Sequence, residues 1–449
     1  MLRPICLRFI CCLSLACLGI TFGDLRGVYA ASVKDFGAVG DGRTDDTAAL
    51  EKAVASAAVE LEFPAGVYRI QKTIRIDLDK VGFASLTGRG GASLVMAGSG
   101  PAIEFIGTHA GTADPKSVQD NVWSRQRMPR VQGLEIVGDN ASADGIQADG
   151  TMQLSIDGVL IRKCRHAIRL TGRNRNLLVS NCHLYENRGC GILYDAVNLH
   201  QSNIVGCHIS YCNEGGVVIR GGEVRNVHIG TCDLESNMTT DGPAAANVLI
   251  DCQDGSTDEV AITGCTLQHN SHSPGSANIR VLGRGITSAK NNTPTQEGHI
   301  TITGNVMSDV MVNVHLVEAR GVTITGNTFW EGFEHDILME SCQAVVVGPN
   351  DLDRNPRYVV NGHWSEDRGG IVMRVLGFQS STVFSSKAFG KSRQPSSSSI
   401  ADASRSTISA FLIAMDMVWN CETASVARSA TALLTTNARE KTDAPKDHC

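Results

Sequence analysis

The chain has 449 residues, of which 19% are charged, 42% are apolar and 46 are glycine. That apolar share can build a long core and excludes disorder of the whole chain. With 40 basic against 46 acidic side chains the net charge is −6, and no block of Lys and Arg is present to grip a phosphate backbone, so nucleic acid is not expected as a partner.

Residues 1–30 read as a signal peptide. Arg3 and Arg8 give a positive start, Phe9 to Phe22 is an apolar run, and Val28-Tyr29-Ala30 sets a small residue before a cleavage point. The run of fourteen residues is too short for a bilayer, which needs about 20. The mature chain is therefore expected to begin near Ala31, secreted or periplasmic, without an integral membrane segment. Four of the fifteen cysteines leave with this segment, and the remaining eleven cannot all pair internally.

Residues 31–130 are expected to form an amino-terminal cap and the first coils. From 131 to 360 a repeat takes over. An apolar-x-apolar strand returns as Leu134/Ile136, Leu154/Ile156, Leu177/Val179, Val227/Ile229, Val260/Ile262, Ile300/Ile302, Val322/Ile324 and Val345/Val347, with Ile204 in the same column. Its second position recurs at spacings of 20 to 40 residues, mostly 20 to 25, which is a solenoid period. A coil of about 22 residues has room for three short strands and their turns but not for a helix pair, so the expected fold is all-β, a parallel β-helix.

Three residues after that column stand Val159, Cys182, Cys207, Cys232, Cys265, Asn305, Asn327 and Asn350. Coils stack about 4.8 Å apart, so like residues meet and this column is expected to form an internal ladder. Parallel stacking points neighbouring Cβ atoms the same way, which suits a disulfide poorly. A further strand column gives two outward rows. One reads Asp149, Thr171, Asp195, Arg220, Asp251, Leu282, Val317, Glu340, and the other Gln147, Arg169, Leu193, Val218, Leu249, Arg280, His315, Leu338.

Residues 33–50, V-K-D-F-G-A-V-G-D-G-R-T-D-D-T-A-A-L, are followed by F-P-A-G-V-Y-R-I at 63–70 and L-T-G-R-G at 86–90. This resembles the amino-terminal signature of the pectate lyase superfamily of right-handed β-helices, which includes polygalacturonases, rhamnogalacturonases, epimerase-like enzymes and phage tailspikes. The resemblance implies a single-stranded, right-handed coil capped by a short helix from about Thr47 to Ala58, with Asp45 or Asp46 as its cap. It implies less about chemistry. Polygalacturonases carry Asn-Thr-Asp, Asp-Asp and Gly-His-Gly on three successive coils, whereas the corresponding stretches here are 142–146 (S-A-D-G-I), 165–168 (R-H-A-I) and 189–192 (G-C-G-I). Of that set only Asp144 survives.

The expected function is cleavage of an acidic, pectin-like polysaccharide by hydrolysis or β-elimination, and the alternative is a non-catalytic glycan-binding or cell-surface β-helix. A glycosidase needs two carboxylates about 5 to 5.5 Å apart for retention or about 6.5 to 9.5 Å for inversion. Asp195 and Asp251 lie two coils apart, hence roughly 9.6 Å, and serve as candidate acid and base with Arg220 between them as a uronate anchor that also lowers their pKa values. A lyase would use Arg220, Arg280 or Arg169 as base, with Ca²⁺ held by Asp195 and Asp251; no compact acidic cluster marks a metal site. Asp149 and His315 are further substrate-binding candidates, and Trp123, in an insertion at Gly107–Arg130, is a candidate sugar platform. Two other insertions, Ser236–Asn247 and Gly283–Gly298, flank the column. Residues 361–449 form a Ser-rich tail whose period is lost after about Val375 and which carries no functional reading.

Overall fold

The structure is a computed structural model and describes residues 30–111, 114–270, 272–287, 294–352 and 370–374. The expected signal peptide and the chain beyond 374 lie outside these residues. The repeat becomes three stacks of parallel strands. The first contains Glu60–Phe63, Ser85–Gly88, Arg130–Gln132, Ser155–Asp157, Arg173–Ser180 and Asn198–Val205. The second contains Leu160–Arg162, His183–Tyr185, His208–Ser210, Asp233–Glu235 and Thr266–Gln268. The third runs through Ala143–Asp149, Ile168–Leu170 and Cys190–Asp195, then segments 217–220, 248–251, 279–282, 314–317 and 337–340, to Ile371–Arg374. That last strand lies beyond the boundary expected at 360. The architecture is a right-handed parallel β-helix whose inward side chains join in one core from Val33 to Met339. Among the described residues no helix is long and apolar enough to cross a membrane.

The cap differs in detail from expectation. Its helix is Thr47–Ala55, and Leu50 and Ala53 bury its inner face. Asp46 does not cap it; its carboxylate accepts the Val39 and Gly40 N–H groups at 2.6 and 3.0 Å and so ties down the preceding Gly-rich turn. Asp45 satisfies the helix start instead, accepting from the Thr47 N–H at 3.0 Å.

Stacked coils leave interior turn amides that no strand satisfies, and each must find a partner. The expected ladder supplies them. Asn305 Nδ2 donates to Asn327 Oδ1 at 3.0 Å, and Asn327 Nδ2 to Asn350 Oδ1 at 3.0 Å. In the cysteine half, Cys182, Cys207, Cys232 and Cys265 direct Sγ to the carbonyls of Ile156, Val179, Ile204 and Ile229 one coil earlier. All nine described cysteines are free. A second amide row was not foreseen: Asn247 Nδ2 donates to Asn278 Oδ1 at 2.8 Å, Asn278 Nδ2 to Asn313 Oδ1 at 2.8 Å, and Asn313 Nδ2 to Asp336 Oδ1 at 3.1 Å. These residues are buried at the entry to the third sheet.

Asn278→Ala should destabilise the protein by at least about 2 kcal/mol, because it strips the buried Asn313 oxygen of its donor and Asn247 Nδ2 of an acceptor at once. The urea midpoint checks this, and an unchanged midpoint would mean that the row is dispensable.

Candidate functional site

The outer surface of the third sheet carries the two rows read from the sequence, in the register expected. Asp195 pairs with Arg220, Arg220 with Asp251, Asp251 with Leu282, Leu282 with Val317 and Val317 with Glu340. Beside it run Gln147, Arg169, Leu193, Val218, Leu249, Arg280, His315 and Leu338.

Side-chain pairing departs from the expectation at the centre. Arg220 does not bridge its carboxylate neighbours. Asp195 Oδ2 takes both Nε and Nη2 of Arg169, at 2.9 and 2.5 Å, a diagonal pair from the previous coil. Among the described residues Asp251 accepts only the Gln253 N–H, at 3.1 Å. Arg220 is exposed and forms no ion pair or side-chain hydrogen bond among the described residues. Arg169 thus acts on Asp195 where Arg220 was expected to.

The middle of the face is apolar. Leu193, Val218 and Leu249 point away from the main core yet are buried, forming a separate cluster with Cys190, Ala246 and Ala277. Gly215 makes this packing possible, since a Cβ there would come within 2.4 Å of Val218 Cγ2.

Beyond this strip the substrate-binding candidate His315 belongs to a relay of three side chains. Arg280 Nε donates to His315 Nδ1 at 3.2 Å, and His315 Nε2 meets Glu340 Oε2 at 2.8 Å. Nδ1 accepts, so the imidazole is neutral with its proton on Nε2. Arg280 is only 8% exposed and also donates to the Gly275 carbonyl, but among the described residues no carboxylate pairs with it. Burial lowers its pKa. Burial also lowers that of His315, against the opposing pull of Glu340. Glu340 in turn faces Arg374 Nη1 at 3.6 Å.

The remaining candidates fall elsewhere. Asp149 accepts from the Thr171 hydroxyl and the Arg173 N–H, both at 3.4 Å, and so closes a turn. Trp123 lies in the short helical turn Val122–Gln126, exposed, and its neighbour Arg125 reaches the Lys80 carbonyl on the first coils. No contact joins Trp123 to the Asp195 column among the described residues. Asp144, the one survivor of the galacturonase set, is fully buried. It holds Arg165 through two bonds of 2.8 and 2.5 Å and accepts the His166 N–H at 3.1 Å. Its acceptor sites are taken by the fold.

Next to it, His166, Cys190 and Glu214 bring one potential metal-ligand atom each within 4.8 Å of one another, a grouping the sequence reading did not include. His166 Nδ1 already accepts the Cys190 N–H at 3.1 Å, and burial pushes the Cys190 thiol up to about 12. In this arrangement His166 Nδ1 serves the main chain, and Cys190 is packed in the apolar cluster of the third face.

Two family descriptions match the chain. Residues 30–121 match "Rhamnogalacturonase A/epimerase, pectate lyase-like" and residues 129–267 match "Right handed beta helix region". The amino-terminal stretch is thus pectate lyase-like in sequence, and the fold is that of a right-handed parallel β-helix. No match is found among curated proteins. Among solved structures, the Dettilon tailspike protein is similar with 15% identity and a TM-score of 0.56, over 77% of this chain and 68% of that one. The Streptococcus pneumoniae surface protein and adhesin PfbA has 15% identity and a TM-score of 0.47, over 77% and 100%. The Azotobacter vinelandii mannuronan C-5 epimerase AlgE4 A-module has 17% identity and a TM-score of 0.44, over 79% and 99%. At these identities the likeness is one of fold.

Two outcomes follow. Asp144→Asn should lower stability by about 1 to 3 kcal/mol, because buried donors lose an anionic acceptor, and should leave any turnover by the refolded protein intact. Thermal melts paired with activity assays check it. His109, His166, His200 and His315 all have pKa values lowered chiefly by burial. A depressed histidine binds its proton more readily in the unfolded chain, so its contribution is complete above the ordinary value near 6.5 and is lost as pH falls below it. The melting temperature should therefore drop below about pH 6.5, and His315→Gln, whose amide can accept from Arg280 and donate to Glu340, should reduce that slope. An identical slope in the variant would remove His315 from the linkage.

Proposed function

We propose that the protein is a secreted or periplasmic carbohydrate-active enzyme that hydrolyses an acidic, pectin-like polysaccharide along the outer face of its third sheet. One observation carries this reading: among the described residues the exposed guanidinium of Arg220 has no carboxylate partner, while the carboxylates of Asp195 and Asp251 flank it in register. A free guanidinium is a bidentate receptor for a uronate carboxylate. The apolar strip of Leu193, Val218 and Leu249 is buried beside this column and holds its coils in place. The signal-like residues 1–30 support export.

In this mechanism Arg220 anchors a uronate, and the scissile bond lies between Asp195 and Asp251 at about 9.6 Å, close to the spacing of inverting enzymes. Asp251, as the acid, gives its proton to the glycosidic oxygen as the bond to the anomeric carbon breaks. Asp195 takes a proton from water, whose oxygen adds to that carbon. Hydrolysis is favoured over β-elimination because the exposed arginine of this column is a poor base, holding its proton throughout the working range of proteins. The second reading, a glycan-binding protein without turnover, draws on Asp195 being already held by Arg169.

Purified protein assayed on polygalacturonate, rhamnogalacturonan and alginate, for reducing ends and for ultraviolet absorbance of unsaturated products, tests this. Reducing ends without absorbance are expected. Asp195→Asn and Asp251→Asn should each lower kcat by about 100-fold or more with a shift in stability of at most about 1 kcal/mol, while Arg220→Ala should chiefly raise KM on de-esterified substrate. Binding without either product would favour the binder, and full activity in both aspartate variants would exclude this column as the catalytic one.

A further inference from the structure

A separate group of side chains lies on another surface, where the second sheet turns toward the third. Tyr211, His269 and Asp309 occupy the same left-handed position after the strand, with φ of 57°, 54° and 57°, and Ser236 holds it in the coil between Tyr211 and His269. The turn follows His208–Ser210 in the first case and Thr266–Gln268 in the second. Tyr185 and Glu235 are the last residues of strands in that sheet, aligned through Ser210 between them. The five side chains therefore belong to five consecutive coils, a row about 19 Å long at the spacing of stacked strands.

Its chemistry is that of a sugar-binding surface. Tyr185 and Tyr211 are 40% and 43% exposed, with ring centroids 5.4 Å apart at 82°, so the rings stand nearly perpendicular. An exposed aromatic face packs on the C–H face of a pyranose. Tyr211 donates to Glu235 Oε1 at 3.3 Å. His269 stands between two carboxylates, with Nε2 at 3.8 Å from Glu235 Oε1 and Nδ1 at 3.5 Å from Asp309 Oδ2. Both separations exceed those of good hydrogen bonds, so the ring edges retain capacity for hydroxyl groups. Asp309 is buried and positioned by the Ser308 hydroxyl at 2.8 Å. The nearest arginine in the register, Arg162 beside Tyr185, is already bonded to Glu135 at 2.7 Å. This row offers carboxylates and no free guanidinium, the reverse of the Arg220 face.

We infer that Tyr185, Tyr211, Glu235, His269 and Asp309 form a second saccharide-binding site, selective for a neutral pyranose chain. The carboxylates accept from sugar hydroxyls and repel uronates, and the tyrosine pair supplies the platform. The site is independent of the hydrolytic column on the third sheet.

The test is a titration of the full-length protein, by tyrosine fluorescence and calorimetry, with cellohexaose, xylohexaose and mannohexaose, and with hexagalacturonate as the acidic counterpart. At least one neutral hexasaccharide should bind in saturable fashion. Tyr211→Ala and Glu235→Gln should each weaken it by about tenfold, as should Tyr185→Ala, whose strand position avoids any change in the turn. Arg220→Ala should leave it unchanged. Failure of all three neutral probes, equal affinity in the three site variants, or binding of the neutral probe lost in Arg220→Ala would each overturn the inference. Retained polygalacturonate cleavage in the same variants separates this outcome from failure of the hydrolytic site.

Discussion

The main-chain hydrogen bond from one coil to the next places the candidate side chains on the outer face of the third sheet. It fixes neighbouring strands about 4.8 Å apart and aligns residue with residue, so a side chain's neighbours lie one repeat away in sequence and directly above or below in space. Asp195, Arg220 and Asp251 form a column because 192–195, 217–220 and 248–251 share a register, not because any side chain holds another. The same constraint governs the interior, where turn amides cannot reach water and are satisfied by a residue of the adjacent coil, as in the rows of Asn305 to Asn350 and Asn247 to Asp336.

A scaffold of this kind separates stability from chemistry by direction. Inward positions are apolar or amide, and a change there is felt along the stack. Outward positions carry charge whose partners are chosen by side-chain reach. Asp144 shows how this overrides analogy: it occupies the stretch where a galacturonase carries a catalytic residue, but its burial and its bonds to Arg165 and His166 N–H make it part of the framework. Asp195 and Asp251, partly exposed, keep capacity for a ligand.

The strand columns were legible because an alternation of period two, repeated at 20 to 25 residues, leaves little choice of register. Pairing between columns was not. Arg169 reaches Asp195 diagonally, and His315 meets Glu340 in the neighbouring row, contacts that depend on rotamers rather than spacing. The second amide row escaped because insertions stretch its spacing to 31 and 35 residues between Asn247, Asn278 and Asn313. Glu235, His269 and Asp309 escaped for a related reason: His269 and Asp309 stand at left-handed positions, outside the apolar alternation that made the strands visible. The burial of Leu193, Val218 and Leu249 was likewise hidden, since alternation marks them as outward.

Arg280 shows what the third face is built to tolerate. A buried guanidinium without a counter-ion is normally unfavourable, and among the described residues its charge is met by a neutral imidazole nitrogen and a backbone carbonyl. The compensating carboxylate, Glu340, is one residue removed and acts through His315, whose proton lies on the side facing it. That arrangement polarises the ring without neutralising the arginine. An anion arriving at Arg280 would meet an oriented donor already stripped of water, so the desolvation that makes such a group costly in the empty protein has been completed before binding begins.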